Sequence, residues 1–249
     1  MDLAALTKAT RRVHLVSYPR SGSTLMRKYL ALIQGRPQFS VYSKDIVGGA
    51  PPVLSEALEH AFVVKSHQIP ADDAPMIYLV RDGRNATLSF LYMAFLFGNH
   101  RYSNRADLGD AIRALDKSEG SWADHVSRAL RRSNDTQGLI LRYEDLVRDP
   151  HEAINGVAGF LGGSIDPTAI DRCIRLEKTS QYYVNTPGSG YAFKPRRGTI
   201  YDIIHRHRRG NYWREIFDAE ASRYFHETGG TDFLLHFGYE QSVDWWKDY

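Results

Sequence analysis

Four short apolar segments, each ending in polar residues, constrain the fold of this chain more than any other feature. The first is VHLVS at residues 13–17, and AFVV, MIYLV and LIL follow at residues 61–64, 76–80 and 139–141. Their lengths are typical of buried strands, and helical patterns separate them. Strands that alternate with helices predict an α/β fold with a central parallel β-sheet flanked by helices on both faces.

The composition allows a sizeable core. Hydrophobic residues make up 43% and charged residues 24% of the 249 residues, which is ordinary for a globular protein. No stretch resembling a linker divides the chain, so we expect a single domain over residues 1–249. The irregular segment 182–210 is the exception to the regular pattern, and such long segments are usually functional or disordered.

Helix signals fill the spaces between the strands. Apolar residues at helical spacing predict helices over about 24–33 and 85–97, and two more over 107–115 and 122–132. Further helices are predicted after Asp149-Pro150 and Asp166-Pro167, because aspartate favours the N-cap and proline the first helical position.

The stretch YPRSGST follows the first strand and predicts an anion-binding loop. Gly22 allows a tight turn, which would point backbone N–H groups at one spot beside the positive end of the next helix. Ser21, Ser23 and Thr24 add hydroxyl donors, and Arg20 adds a permanent charge. The alternative is an ordinary turn with a capping hydroxyl. The GxxxxGK[ST] pattern of nucleoside triphosphatases is absent.

The second strand ends in Lys65-Ser66-His67. Because positions two apart on a strand face the same side, Lys65 and His67 are expected to project together. Histidine is suited to accepting a proton near neutral pH. The alternative is a structural histidine with no chemical role.

The third strand leads into RDGRNATLSF, with Arg81 at the strand end and Ser89 about two turns into the next helix. An arginine fork and a serine hydroxyl could hold a second anion. A surface arginine and an ordinary helical serine are the alternative.

The irregular segment and its surroundings are basic and aromatic. Arg196-Arg197-Gly198 and Arg208-Arg209-Gly210 are its two RRG sequences. Aromatic residues that could stack on a base or cover a ligand are Tyr191, Phe193, Tyr201, Tyr212 and Trp213. Nucleic-acid contacts or a solvated surface are the alternatives.

Taken in order, YPRSGST, VVKSHQIP, IYLVRDGRNATLSF, LRYEDLVRDP and a late RRG followed by tryptophan resemble the motifs of the PAPS-dependent sulfotransferases. The resemblance spans residues 13 to 217. It implies a P-loop NTPase-like fold. It also implies that the sulfuryl donor is 3'-phosphoadenosine 5'-phosphosulfate (PAPS), which becomes the product PAP after the transfer.

The resemblance also implies roles for individual residues. The first loop would hold the 5'-phosphate, Arg81 and Ser89 would hold the 3'-phosphate, and Tyr143 would lie near the adenine. His67 would be the general base, with Lys65 beside the transferring group. The late RRG, preferred at Arg208, Arg209 and Gly210 over the earlier candidate, would close over the 3'-phosphate. The loop residues are Arg20, Ser21, Gly22, Ser23 and Thr24.

Three departures from the family pattern stand out. Arg20 takes the place of a frequent lysine, Leu25 takes the place of a frequent tryptophan, and the late glycine-rich motif is irregular. The dimer motif of some animal members is not visible, so the oligomeric state stays open.

The reaction expected from these residues is an in-line displacement. The hydroxyl of a small-molecule acceptor attacks sulfur while His67 takes the proton, and Lys65 and Arg20 offset charge on the leaving oxygen. No metal is expected. Two other classes remain open: a nucleotide-dependent kinase, with residues 139–145 supplying a Mg²⁺ ligand, and a non-catalytic nucleic-acid binder using residues 194–209.

The remaining expectations concern the environment of the protein. A net charge of only +3 does not indicate general binding to nucleic acid. The single cysteine, Cys173, fits a reducing compartment. The N-terminus is too polar for a signal peptide, and no segment is apolar enough to span a membrane. We therefore expect a cytoplasmic protein with no membrane partner.

Overall fold

A computed structural model describes residues 11–34, 38–42, 46–47, 61–96, 107–178, 184–185 and 212–249. The chain forms two compact units. The first comprises Met1–Ser17, Ser21–Val80 and Ala129–Ser189, and the second comprises Tyr18–Arg20, Arg81–Arg128 and Gly190–Tyr249. A single functional domain over residues 1–249 stays a prediction.

The first unit contains the predicted parallel sheet. The strands are β1 Arg11–Ser17, β2 Phe39–Ser40, β3 Ile46–Val47, β4 Ala61–Ser66, β5 Met76–Val80, β6 Gly138–Arg142 and β7 Val184–Asn185. Five of them form one sheet in the order β2-β4-β1-β5-β6, with every neighbouring pair parallel. Strands β3 and β7 form a separate antiparallel pair. The four strands expected from the sequence are present, and the α/β prediction is confirmed.

Helices account for most of the remaining described residues. They are α1 Ser23–Gln34, α2 Gly83–Leu96, α3 Leu108–Glu119, α4 Trp122–Asp135, α5 Tyr143–Arg148, α6 Pro150–Phe160, α7 Pro167–Lys178, α8 Ala219–Glu227 and α9 Gly230–His236, with 3-10 helices at Tyr212–Glu215 and Trp245–Asp248.

The predicted capping signals are found where the sequence places them. Asp149 accepts a hydrogen bond from the Glu152 amide at 3.1 Å and begins α6. Asp166 accepts one from the Thr168 amide at 2.7 Å, directly before α7. Strand β4 is longer than expected, because it continues to Ser66 instead of ending at residue 64. Lys65 therefore lies within the strand.

The core of the first unit lies between the sheet and helices α1, α6 and α7. Alternate residues of β1 and β5 face this core, because side chains on a strand alternate between its two faces. Its fully buried members include Val13, Leu15, Met26, Leu30, Ile77, Leu79, Ile154, Val157, Ile170 and Cys173. Burying each large aliphatic side chain stabilises the fold by about 2 kcal/mol.

The second unit has an aromatic core. Trp122 stacks on Phe225 with ring centroids 5.6 Å apart, and Trp213 meets Trp245 edge to face at 5.5 Å. Gly83 is the first residue of helix α2, and a Cβ at this position would overlap the ring of Trp122. This core encloses the side chain of Arg84, which lies 3.6 Å from the centre of the Trp213 ring.

The register of the sheet sets which residues share its carboxyl edge. Leu15 pairs with Lys65, Ser17 with Leu79, and Val80 with Arg142. The carboxyl ends of β1, β4, β5 and β6 therefore meet at one edge of the sheet. In parallel α/β sheets this edge is where ligands bind.

Candidate active site

The loop between β1 and α1 has the geometry of an anion cradle. Gly22 has φ of +96°, a conformation that favours glycine. A Cβ at this position would overlap the ring of Tyr143. Helix α1 begins at Ser23, so the N–H groups of its first turn have no partner within the helix. Such N–H groups, with the helix dipole, favour an anion.

The side chain of Ser21 supports the same reading. It is fully buried, and its Oγ has no hydrogen-bond partner among the residues that the structure describes. Leaving a buried hydroxyl unsatisfied costs about 1–3 kcal/mol. A phosphate oxygen is an acceptor that would satisfy it.

In the second unit, Arg20, Arg81 and Ser89 are brought together. Arg20 Nε donates to Ser89 Oγ at 3.1 Å, and Arg81 donates to the main-chain oxygen of Arg20 at 2.9 Å. Arg20 adopts φ of 70°, which is uncommon for a residue with a side chain. The family resemblance implies that Arg20 binds the 5'-phosphate and Ser89 the 3'-phosphate, and here the two side chains bond to each other.

Tyr212 joins this group from the 3-10 helix Tyr212–Glu215. Its side chain is buried, and its hydroxyl donates to the main-chain oxygen of Asn85 at 3.0 Å. The same hydroxyl is hydrogen-bonded to Ser89. Burial raises the pKa of Tyr212, although the nearby charges of Arg81 and Arg20 act in the opposite direction.

His67 is fixed by a hydrogen bond at the end of β4, within the first unit. Its Nδ1 lies 2.8 Å from the main-chain oxygen of Ser17. Because a carbonyl oxygen only accepts, Nδ1 must carry the hydrogen. A neutral His67 therefore carries its lone pair on Nε2, as a general base requires.

Tyr42 contacts both of the predicted catalytic residues of this unit. Lys65 Nζ lies 4.7 Å from the centre of the Tyr42 ring, and the rings of Tyr42 and His67 are 5.7 Å apart. The Tyr42 hydroxyl also accepts a hydrogen bond from the His67 amide at 3.3 Å. The structure thus brings Lys65 and His67 together around one ring. Sequence reasoning missed Tyr42, because it follows the two-residue strand β2, which gave no recognisable pattern.

The segment after His67 is anchored by buried and charged residues. His14 Nε2 lies 2.8 Å from the carboxylate of Asp72, and burial lowers the pKa of His14 despite this partner. Arg132 donates to the main-chain oxygens of Pro70, Asp72 and Ala74. These bonds fix the chain that follows the candidate base.

Several other predicted residues are also located. Tyr143, expected near the adenine, is the first residue of α5, and its ring packs against Gly22. Trp213, considered as a surface for stacking on a base, is completely buried against Arg84 instead. Arg208, Arg209 and Gly210 lie outside the described residues.

Among the residues that the structure describes, no group of three or more histidine, cysteine, aspartate or glutamate side chains is arranged to hold a metal ion. No helix in the same ranges is long and apolar enough to cross a membrane.

A parallel sheet whose first strand leads through a glycine turn into an anion-binding helix defines the class of phosphate-binding α/β proteins. Comparison with known families is more specific. The model of the sulfotransferase domain matches residues 10–230. The chain therefore belongs to the sulfotransferase family, as the ordered motifs indicated.

Curated relatives are distant. The chain is 24% identical to sulfotransferase 1B1 of Mus musculus, and the match covers 64% of this chain and 61% of the mouse protein. It is 25% identical to sulfotransferase 2B1 of Homo sapiens, and the match covers 86% of this chain and 61% of the human protein. The chain thus spans about three fifths of the length of these two relatives.

Solved structures confirm the fold. Mouse sulfotransferase SULT7A1 complexed with PAP is similar with a TM-score of 0.58 at 19% identity, over 99% of this chain and 93% of that one. Retinol dehydratase in a complex with retinol and PAP has a TM-score of 0.56 at 20% identity, over 88% of this chain and 81% of that one. The predicted P-loop-like sulfotransferase fold is therefore confirmed.

Proposed function

We propose that this protein transfers the sulfuryl group of PAPS to the hydroxyl of a small-molecule acceptor. The observation that carries the proposal is the loop between β1 and α1, in a chain that belongs to the sulfotransferase family. The left-handed Gly22 and the unsatisfied buried hydroxyl of Ser21 together fit a bound phosphate. PAP in three of the similar structures is consistent with such a donor.

The donor has two phosphate groups, and the chain offers matching residues. Residues 21–24 would hold the 5'-phosphate through hydroxyls and main-chain N–H groups. Arg81 and Ser89 would hold the 3'-phosphate, with Arg20 bonded to Ser89 beside them. Guanidinium groups suit this task because they keep their charge and bind phosphate oxygens through several N–H groups. The contribution expected of Arg208, Arg209 and Gly210 stays a prediction.

His67 would act as the general base on the acceptor. Its bond to the Ser17 oxygen holds the tautomer that leaves Nε2 able to take a proton. In the proposed reaction the acceptor oxygen forms a bond to sulfur, the bond from sulfur to the phosphate oxygen breaks, and PAP leaves. The acceptor proton moves to His67.

Lys65 would offset the negative charge that develops on the departing oxygen. It is largely buried, and the face of the Tyr42 ring holds its ammonium group. A preorganised cation of this kind acts without the reorganisation that water would require. Arg20 could add charge but not a proton, since arginine remains protonated in proteins.

The acceptor is proposed as a small molecule bearing a hydroxyl. Similar structures of retinol dehydratase contain retinol in one case and androsterone in another. A screen with labelled PAPS against phenols, alcohols, lipids and sugars would identify the class. Transfer of label to none of these classes, by a protein that binds PAP, would contradict a small-molecule acceptor.

Binding of PAP is the first test. We expect isothermal titration to give saturable binding, and Arg81→Ala to weaken it by about 2 kcal/mol, or roughly thirtyfold in Kd, through loss of a charge-assisted contact. Arg128→Ala is the matched control, because Arg128 is an exposed arginine of the same unit that forms an ion pair with nearby Asp124. Absence of PAP binding by the unaltered protein would contradict the donor assignment.

The base is tested separately. His67→Ala should lose most turnover while retaining the affinity for PAP, because the change removes the proton acceptor and leaves the donor-binding residues intact. His151→Ala is the control, since His151 is an exposed histidine bonded to Asp171. Near-normal turnover in His67→Ala would refute the role of His67.

A further inference from the structure

Tyr212 occupies a position from which one hydroxyl reaches two groups of helix α2. Asn85 and Ser89 are four residues apart and therefore share one face of that helix. The Tyr212 hydroxyl lies 3.0 Å from the main-chain oxygen of Asn85 and is also bonded to the Ser89 side chain. Tyr212 is only 4% exposed, so its bond to Asn85 is shielded from water.

The donor and the acceptor of each hydrogen bond follow from the hydrogens that each group carries. The Asn85 oxygen can only accept, so Tyr212 donates its single hydrogen there. Ser89 must then donate its own hydrogen to the Tyr212 oxygen. The remaining lone pairs of Ser89 accept from Arg20 Nε at 3.1 Å. The bonds run from Arg20 to Ser89 to Tyr212 to Asn85, and Arg81 joins through the main-chain oxygen of Arg20.

We propose that Tyr212 is a positioning residue for donor binding, which holds the Ser89 hydroxyl so that Ser89 accepts from Arg20 and orients its guanidinium group. The inference rests on the proposed function, because it takes Arg20 and Ser89 as donor-binding residues. Without the phenol, the Ser89 hydroxyl can rotate and its bond to Arg20 becomes one of several alternatives. Arg20 is exposed, and the bond from its Nε to Ser89 Oγ at 3.1 Å is a contact through which Ser89 can direct its side chain.

A phenol suits this position for a physical reason. Two arginines lie close enough for their charges to favour the ionised form of the ring hydroxyl. Burial acts more strongly in the opposite direction and raises the pKa of Tyr212. The hydroxyl therefore keeps its hydrogen at neutral pH and remains a donor to Asn85 and an acceptor from Ser89.

The test is the affinity for PAP of Tyr212→Phe, which removes the oxygen and keeps the ring. We expect isothermal titration to show a Kd three- to tenfold weaker, the effect of one hydrogen bond. Ser89→Ala should weaken binding at least as much. Because Tyr212 acts through Ser89, the double variant should bind PAP within about twofold of Ser89→Ala alone.

Tyr224→Phe is the matched control. Tyr224 belongs to the same unit, and its hydroxyl is bonded to Asp116 instead of to the residues around Ser89. We expect its loss to leave the Kd for PAP unchanged. Urea unfolding of each variant separates a positioning role from a structural one, since a purely structural tyrosine would change stability without changing the affinity.

Three outcomes would overturn the inference. An unchanged Kd for PAP in Tyr212→Phe, in a protein that binds PAP, would do so. Effects of Tyr212→Phe and Ser89→Ala that add fully in the double variant would show that Tyr212 does not act through Ser89. An unchanged Kd in Ser89→Ala would remove the residue through which it acts. Failure of the unaltered protein to bind PAP is a different result, because it overturns the proposed function itself.

Discussion

Replacing Arg84 by methionine should strongly destabilise the second unit. Arg84 is buried three positions after the candidate phosphate ligand Arg81, and its guanidinium group binds both oxygens of Asp82 at 2.8 and 3.0 Å. It also donates to Glu240 at 2.5 Å and to the main-chain oxygen of Tyr239 at 3.2 Å. The ring of Trp213 covers one part of the group at 3.6 Å, and Trp245 lies 4.7 Å away.

The expected magnitude follows from the burial of these partners. The side chains of Asp82 and Glu240 are only 6% and 14% exposed. Methionine fills much of the same volume but removes the buried cation that lies between these two carboxylates, while the exposed Arg214 lies 3.9 Å from Glu240. Removing one partner of a buried ion pair costs about 3–5 kcal/mol. For a chain of this length, that loss corresponds to a decrease in Tm of roughly 6–20 °C.

Urea unfolding followed by tryptophan fluorescence would measure the change. Restoring neutrality in the triple variant Asp82→Asn, Arg84→Met, Glu240→Gln should recover at least half of the loss, because no uncompensated charge then remains buried. Lys247→Met is the control, since Lys247 is an exposed cation paired with Asp244. A loss below about 1 kcal/mol in Arg84→Met, or no recovery in the triple variant, would refute the reasoning about buried charge.

Two further predictions concern the loop and the pH dependence of stability. Gly22→Ala should abolish measurable PAP binding, because alanine is strained at φ of +96° and its Cβ overlaps Tyr143. Gly156→Ala is the control and should bind PAP normally, because Gly156 has open space around it. PAP binding by Gly22→Ala would contradict the proposed anion cradle. Burial raises the pKa of Asp116 from 3.8 to about 7. Since the folded protein then binds more protons than the unfolded chain, the contribution of Asp116 to stability falls as pH rises from about 4 to 7. Asp116→Asn should therefore be more stable than the unaltered protein at pH 8, by on the order of 1–3 kcal/mol, and much less so at pH 4. Equal differences in unfolding free energy at the two pH values would contradict this explanation.

The local parts of the fold were predictable because they depend on residues that are close in sequence. Asp149 and Asp166 cap helices through amides two or three positions away. Buried strands such as β5 consist of continuous apolar residues, so their position was predicted without error. The end of β4 was predicted too early because its last two residues, Lys65 and Ser66, are polar, and the pairing with β1 keeps them in the strand.

The sequence by itself determined the order of strands and helices, the glycine turn and the basic residues at the strand ends, since each depends on local backbone preference and side-chain type. Only the tertiary structure decided which distant residues contact them. Tyr42 meets Lys65 and His67 across more than 20 positions, and Tyr212 reaches Asn85 across 127. Trp213 lies in the core and not on a ligand surface because the buried guanidinium group of Arg84 packs against it. Such contacts arise when the apolar faces of separate elements are buried together. The periodicity within a single segment therefore does not predict them.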